Sequence, residues 1–201
     1  MLFISYLPKK ILSESSDISS NNSTHYKIVI VPPEPVFSKI IEFKTLMYEK
    51  YKYGTTQSTS AELTLLLPFN WDEKNEYLII DCLKKFAQQN FSVEIELSGF
   101  ENSGNKIALR ILDKNSVQKL QINLRNHLDM YLRLKYNEQE PSEYNPYIET
   151  GLDDRNKSAM KRAWAELKTM HFNAAFIANN FSLVKQTNTN EDKIIGHFEL
   201  E

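Results

Sequence analysis

Cysteine occurs once in the 201 residues, at Cys82, so no intramolecular disulfide is available. No cysteine and histidine cluster has zinc spacing either. A lone thiol suits a reducing interior, and the cytoplasm is the expected compartment. A basic excess is also missing: 24 Lys and Arg stand against 26 Asp and Glu, a formal net charge of -2. That argues against a nucleic-acid binder relying on bulk charge, though a local basic patch remains open. Long apolar runs are absent from the N-terminus. Leu2 to Leu7 ends at Pro8-Lys9-Lys10, has no basic region before it, and is too short for a signal-peptide core or a membrane span. No membrane partner is expected, and no short-period repeat is visible. The remaining composition, 41% hydrophobic, is that of a soluble globular chain, long enough for one domain or two small lobes sharing a core.

Residues 1–24 divide from the rest. Ser13 to Thr24 (SESSDISSNNST) is rich in Ser and Asn and reads as a flexible linker, so the domain is expected over residues 25–201. Tyr26 to Val31 (YKIVIV), stopped by Pro32-Pro33, suits a buried strand. Pro35 then opens a helix whose Val36, Ile40, Phe43, Met47 and Tyr51 recur at steps of three or four. Leu63 to Leu67 is a second strand, ended by Pro68. Asn70 with Glu73 has the pattern of a capping box, opening a helix with Ile80, Leu83 and Phe86 on one side. Val93, Ile95 and Leu97 alternate with glutamates in a strand that turns at Ser103-Gly104-Asn105 into Lys106 to Leu112. Val117 to Tyr131 carries a long amphipathic helix. A short strand near Tyr147, a helix capped by Asp154 with Met160, Ala163, Trp164 and Leu167 inward, and a hairpin of Phe172–Val184 with Ile194–Leu200 close the chain. This order predicts a two-lobed α+β fold, antiparallel sheets backed by helices around a central cleft.

Three segments carry a resemblance: YKIVIVPPEPVFSKIIEFK; ELTLLLPFNW, Glu62 to Trp71; and YNPYIETGLDD with AWAELK downstream. Together, from about Tyr26 to the C-terminus, they resemble the 2H phosphoesterase superfamily, the 2'-5' RNA ligase-like and cyclic phosphodiesterase group. In that family two His-x-Thr/Ser motifs face each other across a cleft. The resemblance implies that one imidazole deprotonates an attacking oxygen and the other protonates the leaving oxygen of a 2',3'-cyclic phosphate or ribose phosphodiester. The hydroxyls would help hold the phosphate oxygens, and neither a metal nor another cofactor is implied.

Residue by residue the correspondence departs from that pattern. Glu62 stands at the first histidine and Thr64 at its hydroxyl; Tyr147 stands at the second histidine and Glu149 at its hydroxyl, with Thr150 one residue on. The four histidines present, His25, His127, His171 and His197, lie elsewhere. Loss of one general acid or base costs about 10²- to 10⁴-fold. A phenol, with a reference pKa of about 10, is a poor base at neutral pH. A carboxylate at roughly 4 Å from a phosphate oxygen costs on the order of 4 kcal/mol at an effective dielectric of about 20. Such a cleft repels a phosphodiester unless Glu62 and Glu149 are protonated, turned away or neutralised by a cation.

Glu62 and Glu149 therefore read as solvated carboxylates in a disused cleft, as an acid/base or metal-binding pair, or as a seat for a cationic ligand or a partner's basic residue. Thr64 reads equally as a strand residue or a ligand contact, and Tyr147 as a packed aromatic. Trp164 reads as core, Trp71 as core ahead of a stacking platform, Cys82 as a small buried residue and His127 as a satisfied histidine. Arg110 and Arg155 are candidate positive charges near the cleft. The expected function is a catalytically silent protein of this fold that binds a nucleotide, an RNA end or a protein partner. The rivals are an enzyme using Glu62 and Glu149 as acid and base, and an interaction scaffold.

Overall fold

Alternation of apolar and polar residues builds eight strands in the computed structural model, which describes residues 23–51, 60–134, 144–153, 157–186 and 192–201. In chain order they are β1 (Ser23–Ile30), β2 (Leu63–Asp72), β3 (Val93–Asn102), β4 (Lys106–Ile111), β5 (Ile148–Asp153), β6 (Asn173–Ala178), β7 (Asn180–Gln186) and β8 (Asp192–Glu199). Four helices interleave: α1 (Val36–Tyr51), α2 (Glu76–Ala87), α3 (Lys114–Leu132) and α4 (Lys157–Leu167). The expected tail, residues 1–24, lies outside the described residues except for the start of β1, and so do Asp154 and Arg155.

All strand pairings among the described residues are antiparallel, in the order β6-β3-β4-β5-β2-β1-β7-β8. The sheet is pinched at its centre, where β2 and β5 meet through one pair, Leu63 opposite Ile148. Each half contributes four strands, and this seam is where the two lobes join. The helices lock the lobes together. α1, between two strands of one half, packs on β5, β6 and α4 of the other, while α3, between two strands of the second half, packs chiefly on α2. One hydrophobic cluster results, with Ile30, Leu63, Leu109 and Ile148 fully buried at the seam. On α1 the apolar spacing places Val36, Ile40, Phe43 and Met47 into it. On α3, Asp113 caps the start by accepting from Asn115 N–H at 3.0 Å, and Arg133 ends it in the left-handed region at φ 50°.

Four expectations change. β2 does not stop at Pro68; it runs to Asp72, with its register against β1 shifting between Tyr26 and Val29. The capping box at Asn70 does not form, because Asn70 is still in the strand, paired with His25. Asp72 caps the following turn instead, accepting from Lys74 N–H at 3.0 Å. The run Phe172–Val184 is not one strand. It breaks at Asn179 into β6, which pairs with β3, and β7, which pairs with β1 and β8. The regular alternation of β3 is interrupted by a bulge at Ser98-Gly99. There Gly99 takes φ 64°, which a side chain would resist, and donates its N–H to Phe172 O at 2.7 Å. None of the helices among the described residues is long and apolar enough to cross a membrane.

Candidate functional site

The seam pair fixes what the two central strands present. Side chains alternate along a strand, so Leu63 and Ile148, both fully buried, point to the core. Their neighbours Glu62, Thr64, Tyr147 and Glu149 then share the opposite face, as the sequence positions required. The approach to Tyr147 is pinned from three sides. Tyr144 O–H donates to Thr64 O at 2.8 Å, Gln118 donates to Tyr144 O at 2.9 Å, and Lys114 donates to Asn145 Oδ1 at 2.8 Å. Burial pushes the Tyr144 phenol well up, so it remains a donor.

Each carboxylate of the seam meets a lysine from the adjoining strand, and neither lysine stands out in the sequence. Lys27 on β1 donates to Glu62 and forms an ion pair of 2.8 Å with Asp192 at the start of β8. Burial works against this charge, but Asp192 and Glu62 outweigh it and hold the ammonium above the usual lysine range. Lys106 on β4 donates to the Tyr147 hydroxyl and to Glu149 Oε1 at 3.2 Å, with its Nζ 4.4 Å from the ring centroid. Burial again opposes the charge and loses, first to Tyr147 and then to Glu149. The two pairs differ in access. Side-chain exposure is 14% and 21% for Lys27 and Glu62, against 29% and 64% for Lys106 and Glu149. Beneath them Lys44 on α1 is buried, donates to Ser60 O at 2.7 Å, and has its pKa lowered by burial against the pull of Glu149 and Glu62.

These contacts correct several readings. Glu62 is an enclosed, ion-paired carboxylate rather than a solvated one; Glu149 is exposed but also paired. Thr150 is no substitute hydroxyl, because it is buried and donates to Ile107 O at 2.5 Å. Arg110 donates its Nε–H to Ser98 O at 2.9 Å across the β3 bulge, which commits part of its guanidinium to the backbone. Trp71 donates to Asn75 O at 2.9 Å while packing partly buried on the core, and Trp164 packs there too, which agrees with reading both as core residues. His127 sits against Phe86 and Tyr131 with Nε2 at 3.2 Å from Cys82 O, and burial lowers its pKa. Among the described residues, no group of three or more His, Cys, Asp or Glu side chains could hold a metal.

Cys82 is buried and its thiol is pushed up to about 11 by that burial. Alkylation by iodoacetamide at pH 8 is therefore expected to run about 100-fold slower in the folded protein than in denaturant. Equal rates, followed by mass spectrometry, would contradict the buried placement.

Only the fold gives the two lysines their place. Lys27 interrupts an apolar strand, and in the fold it lies off the side that Tyr26, Ile28 and Ile30 give to the core. The same face continues outward through Thr64, Val29, Ser182 and His197, neighbours in register on β2, β1, β7 and β8. Neither Ser182 nor His197 stands out locally.

The sequence profile of the 2'-5' RNA ligase superfamily matches residues 32–190, a span that includes both seam strands. The chain belongs to the 2'-5' RNA ligase superfamily. Solved structures of similar fold agree with this family. E. coli LigT in apo form superposes with a TM-score of 0.64 at 13% identity, covering 89% of this chain and 98% of that one. TT0787 of Thermus thermophilus gives 0.63 at 13% identity, covering 88% and 97%. E. coli LigT complexed with 3'-AMP gives 0.62 at 14% identity, covering 89% and 98%. At such identities the likeness is one of fold. No curated protein matches by sequence. The superfamily's two-lobed architecture thus accounts for the pinched sheet and the face that both seam strands present.

Proposed function

We propose that this member of the superfamily binds the phosphate of a nucleotide or RNA end in its cleft without cleaving it. The observation that carries the reading is the pairing of each seam carboxylate with a lysine from the next strand. A phosphate near two bare carboxylates would be repelled by several kcal/mol, and an ammonium on each removes most of that cost. The pairs also argue against an acid/base couple. Glu62 already accepts from one ammonium, Tyr147 accepts from another, and no imidazole stands at either position.

The open end of the site is the seat for phosphate. Glu149 is largely exposed, and an exposed pair with Lys106 contributes roughly 0–1 kcal/mol, so its carboxylate swings aside at little cost. Lys106 then offers its ammonium to the ligand, with the Thr64 hydroxyl across the seam. Lys27, Glu62 and Asp192 stay as the fixed wall. The nucleotide seen in a LigT complex supports this ligand class, and the buried lone thiol suits a cytoplasmic setting.

Lys106→Ala is expected to weaken binding of a 2',3'-cyclic nucleotide about 10- to 100-fold, the loss of one charge-assisted hydrogen bond. Calorimetric titration measures it; an unchanged Kd would remove Lys106 from the site.

A further inference from the structure

Along the cleft face from the seam lies a cavity of about 430 Å³, lined among others by Val31, Pro33, Ile177, Asn180, His197 and Glu199. Its volume falls in the ordinary range for ligand sites. Its position follows from strand register. Val31 is the next residue on the Val29 side of β1, beside the strand that carries Glu62 and Thr64. Asn180 and Glu199 are opposite each other on β7 and β8, as are Ser182 and His197. At about 4.8 Å per strand, the cavity spans roughly 5–14 Å from β2, within the reach of a single nucleotide from phosphate to base edge.

The walls divide by chemistry. Val31, Pro33 and Ile177 give an apolar surface, and Ile177 is 60% exposed although it is a large aliphatic side chain. Asn180, His197 and Glu199 give a polar edge. His197 does not hang freely there. Its Nδ1 lies 2.9 Å from the hydroxyl of Ser182, a serine with no exposed surface, so the ring is held by a buried anchor and Nε2 is left for a ligand. An apolar slot with a fixed hydrogen-bonding rim is how proteins hold an unstacked base by its faces and read its edge.

We infer that this cavity takes the base of the bound nucleotide and that Glu199 selects guanine. A carboxylate only accepts hydrogen bonds. Guanine alone among the four bases presents two adjacent donors, N1–H and the N2 amino group, to its two oxygens. Uracil flanks its single donor with acceptors that a carboxylate repels. The inference rests on the phosphate-binding reading for the ligand's class but not for the cavity itself.

The test separates the two. Guanosine, uridine and ribose 5-phosphate are titrated calorimetrically against the wild-type protein, Glu199→Gln and Lys106→Ala. Guanosine is expected to bind about tenfold more tightly than uridine, and Glu199→Gln to erase that preference. Ribose 5-phosphate is expected to bind and to be lost in Lys106→Ala. Equal binding of guanosine and uridine, or binding of neither, overturns the base pocket whatever ribose 5-phosphate does. A Glu199-dependent guanosine preference with no ribose 5-phosphate binding leaves the pocket standing and removes the phosphate seat.

Discussion

Replacing Glu62 and Tyr147 with histidine and Glu149 with threonine is expected to raise hydrolysis of a 2',3'-cyclic nucleotide far above that of the parent chain. The three positions share one face across the Leu63–Ile148 pair, so the new imidazoles would stand where the superfamily resemblance puts its acid and base. Each acid or base contributes about 10²- to 10⁴-fold, and the effect of the pair is the largest foreseen for this molecule. The exchange also removes both seam carboxylates, relieving repulsion of the phosphate, while Lys27 and Lys106 stay as cations. Product formation followed by chromatography measures the gain. A triple variant no faster than its parent, yet still binding the nucleotide, would mean that these residues do not converge on the phosphate.

Leu63→Ala is expected to lower unfolding free energy by about 2–5 kcal/mol, the usual cost of truncating a buried leucine without full collapse of the space. For a chain of this size that corresponds to a fall in Tm of roughly 4–20 °C. Among the described residues, Leu63 is fully buried opposite Ile148 in the single pair between β2 and β5, so it holds both the core and the alignment of the site. A calorimetric scan decides it. A Tm within a degree of the parent's would show that the seam is not closed by this pair.

The strands are legible where alternation is clean. Val93, Ile95 and Leu97 announce β3, and the helix periodicities of α1 and α3 match the buried residues except at Tyr131, which closes the α3 pattern but is exposed. That Glu62 shares a face with Thr64, and Tyr147 with Glu149, is legible for the same reason, since residues two apart on a strand must share a face. Their partners are not. Which lysine faces Glu62 depends on β1 lying beside β2, and which faces Glu149 on β4 lying beside β5; sheet order is a tertiary choice that no local pattern encodes. Pro68 misleads because a bulged strand accommodates a proline that a regular ladder would reject. Asn70 misleads because Asp72 competes for the same capping role two residues later. The break at Asn179 is hidden because β6 and β7 are both apolar, and their separate partners appear only when the sheet is assembled. The Ser182–His197 anchor joins residues 15 apart through a register set by their hairpin.

Binding without turnover is decided most directly by incubating the wild-type protein with a 2',3'-cyclic nucleotide at about 100 times its Kd. Tm and the state of the phosphate are then followed in the same sample. The account predicts a rise of roughly 5–10 °C, from about 2.7 kcal/mol of ligand stabilisation, with the cyclic phosphate recovered intact. Steady accumulation of the ring-opened product, at a rate that Glu62→Gln abolishes, would contradict it.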